Sequence, residues 1–365
     1  MSGVIIGMSG GVDSAVAAYL LKAAGHEVTG VTLRHFVTED GQESRCCEIS
    51  DAEAVCDRLE IPYYVIDCFP EFAAHVTEPF VRDYLSGLTP NPCVACNRHV
   101  KWSGLFKAAE RFGASYVATG HYARIVKTSA GRYTVQKALH ENKDQAYMLY
   151  RLTQKQLMRT IMPLGALSKE EVRTIAQKAG IPVADKPDSQ EICFVPDGDY
   201  ADYVAAHASE VTGPGSFVDE DGRVLGIHKG IIHYTVGQRR GLNLPLGYPA
   251  YVKEIRPETG EVVIAPEEHL YSREILCRSV NFMSIEGLAP GEELHCQVKI
   301  RYHHPGAPAT LTPAETGADG DVSIRVLFDE PVRAAAPGQS AVFYDADGCV
   351  IGGGIIAKEQ PGRVA

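Results

Sequence analysis

Two groups of residues in this sequence have the types and spacing for chemistry. The first is the run Gly7-Met8-Ser9-Gly10-Gly11-Val12-Asp13-Ser14, placed where an apolar strand pattern hands over to a helical one. Adjacent glycines let the backbone approach a ligand closely, and serine hydroxyls add donors. The first turn of a helix presents unpaired N–H groups with a favourable dipole. Such a turn binds an anion. It is not a G-x-G-x-x-G turn, and the lysine that a Walker loop requires is missing.

The second group is a set of cysteines: the pair Cys46-Cys47, the C-x-x-C of Cys93 and Cys96, and Cys193. Proline stiffens the loop 89–93 and a helix pattern follows, which places Cys96 near a helix N-terminus and close to Arg98. Both neighbours lower a thiol pKa and favour the nucleophilic thiolate. A zinc site completed by Cys46 and Cys47 is the competing reading of the C-x-x-C. Cys56, Cys68, Cys277, Cys296 and Cys349 lie in apolar contexts and read as small core residues.

The elements that must position these residues alternate over the first 120 positions. Strand patterns at 4–8, 28–36, 63–67 and 116–119 are separated by helix patterns at 12–24, 51–59, 72–85 and 103–112. That alternation predicts a doubly wound parallel sheet, and the turn Thr119-Gly120-His121 then ends on the same sheet edge as the anion loop. A hairpin is expected over 123–138 and helices over 144–152 and 168–179, the latter opened by a Ser168/Glu171 capping box. Beyond about 213, short alternating segments with glycine and proline predict two β-rich units, including strands at 230–236, 251–255, 261–265, 293–302, 321–328 and 340–344. The expected domains are 1–205, a central β-rich unit 206–273, and a C-terminal β-barrel 274–361.

The string Ser9 to Ser14 resembles the pyrophosphate loop of N-type ATP pyrophosphatases. Behind it, in order, come Asn91-Pro92-Cys93-x-x-Cys96-Asn97, Ala118-Thr119-Gly120-His121-Tyr122-Ala123-Arg124, Lys143-Asp144-Gln145-x-Tyr147, Asp188-Ser189-Gln190-x-Ile192-Cys193-Phe194 and His233-Tyr234-Thr235-Val236-Gly237-Gln238-Arg239-Arg240-Gly241-Leu242. Together they look like a bacterial tRNA-specific 2-thiouridylase, over nearly the whole chain. The resemblance implies sulfur insertion at C2 of the wobble uridine (position 34) of tRNAs for Lys, Glu and Gln, after ATP adenylates O2 so that AMP becomes the leaving group. It implies ATP on Gly7, Met8, Ser9, Gly10, Gly11, Val12, Asp13, Ser14, Leu33 and Gly120, with Mg2+ at Asp13. Cys193 would carry a persulfide supplied by a sulfur-relay or cysteine-desulfurase donor. Cys96 would be the nucleophile, and a reductant would close the cycle. Asn91, Pro92 and Cys93 would line the pocket of the flipped base. His121, Lys143, Asp144, Gln145, Arg301, Tyr302 and Gln339 would contact tRNA. Some members carry Asp where this chain has Cys93, and a [4Fe-4S] cluster held by the cysteines is the alternative route to the same product.

Bulk composition bounds these readings. With 365 residues, 45% hydrophobic and 22% charged, the chain is long enough for two or three cores. There is no basic leader before the first strand and no 18-residue apolar span, so a cytoplasmic protein with no membrane partner and reduced thiols is expected. The net charge of -11 excludes a uniformly basic nucleic-acid coat protein. Yet 84–109, 145–169, 222–253 and 294–314 contain no Asp or Glu and hold 14 of the 35 Lys and Arg. That segregation predicts a positive face on an acidic body. Two rivals stand beside the thiouridylase: an ATP pyrophosphatase acting on another carbonyl, which has no use for Cys96 or Cys193, and a nucleotide-gated RNA-binding or sulfur-carrier protein without turnover.

Overall fold

The computed structural model describes residues 2–36, 48–187, 192–195, 199–211, 213–314 and 321–358. The N-terminal strands are β1 Gly3–Gly7, β2 Glu27–Arg34, β3 Tyr63–Asp67 and β4 Tyr116–Ala118. A hairpin follows, β5 Ala123–Lys127 with β6 Tyr133–Lys137, and then the short β7 Thr160–Ile161. The central strands are β8 Gly215–Val218, β9 Val224–His228, β10 Tyr251–Arg256 and β11 Glu261–Ala265. The last six are β12 Tyr271–Phe282, β13 Leu294–Lys299, β14 Ala307–Pro313, β15 Ile324–Arg333, β16 Ser340–Tyr344 and β17 Val350–Ile356.

The first sheet runs β3-β2-β1-β4-β7 and every pair in it is parallel. Its central strands read as unbroken apolar runs because both faces are covered: Val4, Ile5 and Ile6 of β1 are all at most 1% exposed. Strand order reverses between β1 and β4, and the crevice outside their carboxyl ends is where such sheets hold ligands. Behind the sheet come the four-stranded β10-β11-β8-β9 and a closed barrel, β12-β15-β14-β13-β16-β17. The expected fold class, a doubly wound parallel sheet followed by a β-rich unit and a barrel, is the observed one.

Several expectations need correction. The helix expected over 144–152 is two 3-10 turns, Glu141–Lys143 and Ala146–Leu149. Asp144 between them turns its carboxylate back onto the Ala138 and Ala146 N–H groups, a local bond that competes with a regular helix. The strand expected over 230–236 is a 3-10 turn, Ile231–His233, entered through Gly230 at φ 135°. Strands β7, β8, β9, β12, β14 and β17 lay outside the expected set. The expected boundary 205/206 falls inside the helix Tyr200–His207, and 273/274 falls inside β12.

One hydrophobic cluster runs through all three parts. It joins Trp102, Leu105 and Tyr147 to Phe217 and Ile255 of the central sheet and to Val342, Tyr344 and Val350 of the barrel. The glycine run of β17 explains how the barrel docks. A Cβ on Gly353 would stand 2.7 Å from the Tyr150 ring, so only glycine lets that ring lie against the strand.

Candidate active site

β1 ends at Gly7, and the helix Val12–Ala23 begins five residues later with Gly11 as its cap and no side chain closing the cap. Its first N–H groups are therefore offered to a ligand rather than to the chain itself. Ser9 is exposed, Gly11 and Asp13 half-buried, while Met8, Val12 and Ser14 point inward. The Ser14 hydroxyl donates to Gly11 O at 3.0 Å and lies 3.2 Å from both the Ser9 N–H and the Ser9 hydroxyl, which fixes the turn from inside. Gly10 has φ 76°, and a Cβ there would meet Glu48 O at 2.6 Å. Gly120, following β4, lies so close to the helix start that a Cβ would stand 2.7 Å from Ser14 N.

Asp13 is the charged member of this loop, and both of its bonds fall on Oδ1. Tyr122 Oη donates to it at 2.7 Å, and Lys169 Nζ donates at 2.7 Å. Lys169 is the first residue of the helix Lys169–Lys178 and its side chain is only 10% exposed. The basic side chain that the loop itself lacks thus arrives from more than 150 residues away. Sequence reasoning missed it, although a signal was there: a lysine at the start of a helix faces the positive end of the dipole and needs an anion to offset it. Among the described residues Asp13 Oδ2 accepts no hydrogen bond, and a carboxylate oxygen there would fit a Mg2+ brought in with ATP.

Leu33 is 7% exposed and packs beneath Gly104, where a Cβ would meet its methyl groups at 2.9 Å, so it belongs to the core beside the crevice. Its neighbour Arg34 makes a forked pair with Asp67 at the ends of β2 and β3, at 2.6 and 2.9 Å, which holds the Asp67 carboxyl below the usual range. His121 is half-buried, with Nδ1 2.8 Å from Thr119 Oγ1 and its ring against Trp102. Burial, with Lys101 nearby, pushes its pKa down to about 3.

The cysteine loop is built as the proline pattern requires. Asn91 caps the helix Pro92–Cys96 by accepting from Val94 N at 3.4 Å, and Pro92 occupies its first turn. The helix continues through a π-helical turn, Asn97–Lys101, into Trp102–Phe112. Cys93, in the first turn and exposed, is thus the thiol at the helix N-terminus. Cys96 lies one turn further along and is buried, which corrects the expectation for it. Cys193 is half-buried against the same apolar cluster that contains Cys96, and Phe194 beside it packs edge-on to Phe72 and Phe80. Cys46, Cys47 and residues 188–191 lie outside the described residues. Among the described residues no three His, Cys, Asp or Glu side chains are grouped as metal ligands. Cys93, Cys96 and Cys193, all among them, are not grouped in this structure as the donor set of a [4Fe-4S] cluster.

The barrel reaches into this loop. Thr89 N donates to Pro337 O at 2.8 Å, and Gln339 Nε2 donates to Thr89 O at 2.9 Å. Tyr302 Oη donates to Asp144 O at 2.9 Å, and Tyr147 Oη donates to Ser340 O at 2.8 Å. Gln145 is held to Tyr122 by bonds of 2.9 and 3.0 Å. Of the residues read from the sequence as RNA contacts, Gln339 and Tyr302 tie the barrel to the N-terminal part through Thr89 O and Asp144 O, and Gln145 is held within the N-terminal part. Arg301 donates to Arg333 O at 3.3 Å, and Lys143 is half-buried in its 3-10 turn.

Three family models match consecutive parts of the chain: a tRNA methyl transferase HUP domain over 2–197, a tRNA methyl transferase PRC-barrel domain over 201–266, and an aminomethyltransferase beta-barrel domain over 272–356. The tRNA-specific 2-thiouridylase MnmA of Lachnoclostridium phytofermentans is 50% identical over 365 residues, covering 98% of this chain and 100% of that protein. The chain belongs to the tRNA-specific 2-thiouridylase family. A second thiouridylase, from Clostridioides difficile, is 47% identical over 361 residues, covering 97% of this chain and 98% of its own. The models name methyl transfer, but full-length identity near one half places the chain with the thiouridylases. Among solved structures, the U34-tRNA thiolase NcsA from Methanococcus maripaludis with its [4Fe-4S] cluster aligns at a TM-score of 0.36 and 19% identity, over 52% of this chain and 60% of that one.

Proposed function

We propose that this chain uses ATP to replace O2 of the wobble uridine in tRNAs for Lys, Glu and Gln by sulfur. The observation that supports the reading best is the pairing of an open helix-N-terminal cradle, charge-balanced by Asp13 and Lys169, with a cysteine-bearing helix on one chain of a thiouridylase family. Methyl transfer uses neither feature. Uracil O2 attacks the α-phosphorus of ATP, pyrophosphate leaves, and the poor oxide leaving group becomes AMP. The loop 9–14 holds the pyrophosphate as it departs, and Lys169 offsets its charge. Mg2+ bound with ATP would neutralise phosphate charge beside Asp13.

Sulfur then comes from a persulfide on Cys193, loaded by a cysteine-desulfurase or sulfur-relay partner. The terminal sulfur bonds to C2 and AMP departs. Cys96 attacks Cys193 Sγ, the S–S bond breaks toward the new thiocarbonyl, and a Cys96–Cys193 disulfide remains. An external thiol reductant restores both. Asn91, Pro92 and Cys93 would flank the splayed base.

The test is a thiolation assay with ATP, a persulfide donor and unmodified tRNA. Cys96→Ser and Cys193→Ser are each expected to abolish 2-thiouridine while leaving tRNA-dependent pyrophosphate release. Thiolation that survives both substitutions overturns the persulfide route. Absence of tRNA-dependent AMP formation by the unaltered chain overturns the enzyme reading.

A further inference from the structure

One pair of charges has no task in that scheme. Arg98 lies in the π-helical turn Asn97–Lys101, next to Asn97, whose Nδ2 donates to Met148 O at 3.0 Å. This bond ties the turn to Ala146–Leu149, and Arg151 follows two residues later. Both arginines are half-buried, and among the described residues neither has an ion-pair partner. Arg151 Nε is wholly buried and has no hydrogen-bond acceptor among those residues. His99, the next residue, stacks on His75 of the neighbouring π-helical turn Ala73–Thr77, ring centroids 4.6 Å apart. Burial, then Arg98, His75 and Arg151, hold His99 down to about 4, so His99 is part of the wall and not an extra cation. Arg151 also disfavours the charge on Arg98, second only to burial.

Two partly buried guanidinium groups on turns tied together by the Asn97–Met148 bond, with no carboxylate partner among the described residues, are unfavourable unless an anion joins them. Guanidinium groups grip phosphate through paired N–H donors. The pair also unites two of the acid-free windows, 84–109 and 145–169, which the sequence alone leaves 35 positions apart. We infer that Arg98 and Arg151 form a clamp for a backbone phosphodiester of the RNA substrate, on the same helical run as Cys93 and Cys96. The inference rests on the RNA reading above. An ATP phosphate is the other source of the same chemistry. The cradle at 9–14 and Lys169 already serve it, whereas the clamp is tied to the cysteine helix and so to the base pocket.

The experiment measures binding of unmodified tRNA and of its anticodon stem-loop by fluorescence anisotropy across KCl concentrations, with ATP affinity measured separately. The full-length chain is compared with Arg98→Gln, Arg151→Gln, the double variant, and Arg98→Lys. Each glutamine is expected to weaken RNA binding by roughly tenfold at low salt and to reduce the salt slope by about 1, with ATP affinity and Tm retained. Arg98→Lys is expected to keep the slope while losing affinity, because the charge remains and the fork does not. An unchanged salt slope in the double variant, with the unaltered chain still binding tRNA, overturns the clamp alone. Loss of ATP affinity in place of RNA affinity reassigns the pair to the nucleotide and also overturns it. If the unaltered chain neither binds nor thiolates tRNA, both readings fall.

Discussion

Asp13 and Lys169 are the residues whose contact makes the anion loop workable. A carboxylate beside a polyphosphate would repel it, and a lysine at a helix start would strain against its own dipole. Together, at 2.7 Å, each offsets the other. Lys169→Met is expected to lower tRNA-dependent pyrophosphate release by about ten- to a hundredfold, the scale of a lost charge-assisted bond at a largely buried site, while tRNA binding is retained. Single-turnover pyrophosphate release and anisotropy separate the two. The histidines make a second residue-scale prediction. His35 and His121 are both held down to about 3, chiefly by burial and then by Lys101. In the unfolded chain each takes up a proton near pH 6.5, whereas the native chain refuses it until about pH 3. Their contribution is therefore complete above pH 6.5 and is lost as pH falls toward 3, by up to about 1.4 kcal/mol per histidine per pH unit. Tm should drop between pH 7.5 and pH 5, and His35→Phe should make that drop shallower.

At the scale of elements, the turn 336–339 of the barrel holds the cysteine helix by the chain that leads into it. Gly338 has φ 89°, and a Cβ there would meet Thr89 N at 2.9 Å and Leu88 Cβ at 3.0 Å. Gly338→Ala therefore adds backbone strain and pushes on the loop before Asn91. It should reduce the thiolation kcat several-fold while leaving ATP affinity within twofold. Equal losses in both would mean that the turn acts on the whole domain and not on the cysteine loop. Most elements were legible because their patterns are local. The period-2 and period-3.6 runs and the Ser168 capping box each carry their own signal. The segment 144–152 was not legible, since its helix-like pattern is overruled by the Asp144 carboxylate caught between Ala138 and Ala146. β17 was hidden because a triple glycine reads as a breaker until the barrel and the Tyr150 ring demand it.

For the molecule as a whole, the shared core bears on cooperativity. Trp102, Phe217 and Val342 belong to one buried cluster although they sit in three differently folded parts. Tyr147, buried within it, donates to Ser340 O in the barrel. Thermal unfolding is expected to show a single calorimetric transition, and Tyr147→Phe should lower its Tm by removing a buried bond of about 1 kcal/mol. Separate transitions for sheet domain and barrel would show that the docking is weaker than the burial implies. No described helix is long and apolar enough to cross a membrane.

The residue string from Gly7 to Ser14, the cysteine helix and the order of the motifs were determined by sequence alone, because a glycine turn between a strand and a helix, or a proline after a cap, acts within one turn of chain. The charge at the loop, the clamping of the cysteine helix by the barrel and the joining of the Arg98 turn to the segment before Arg151 were decided only by tertiary structure. Each joins residues separated by tens to hundreds of positions, and no local pattern encodes which distant side chain will offset a given charge. The net charge of -11 made the same point in advance: what a polyanionic partner meets is the local field where acid-free segments converge, not the sum over the chain.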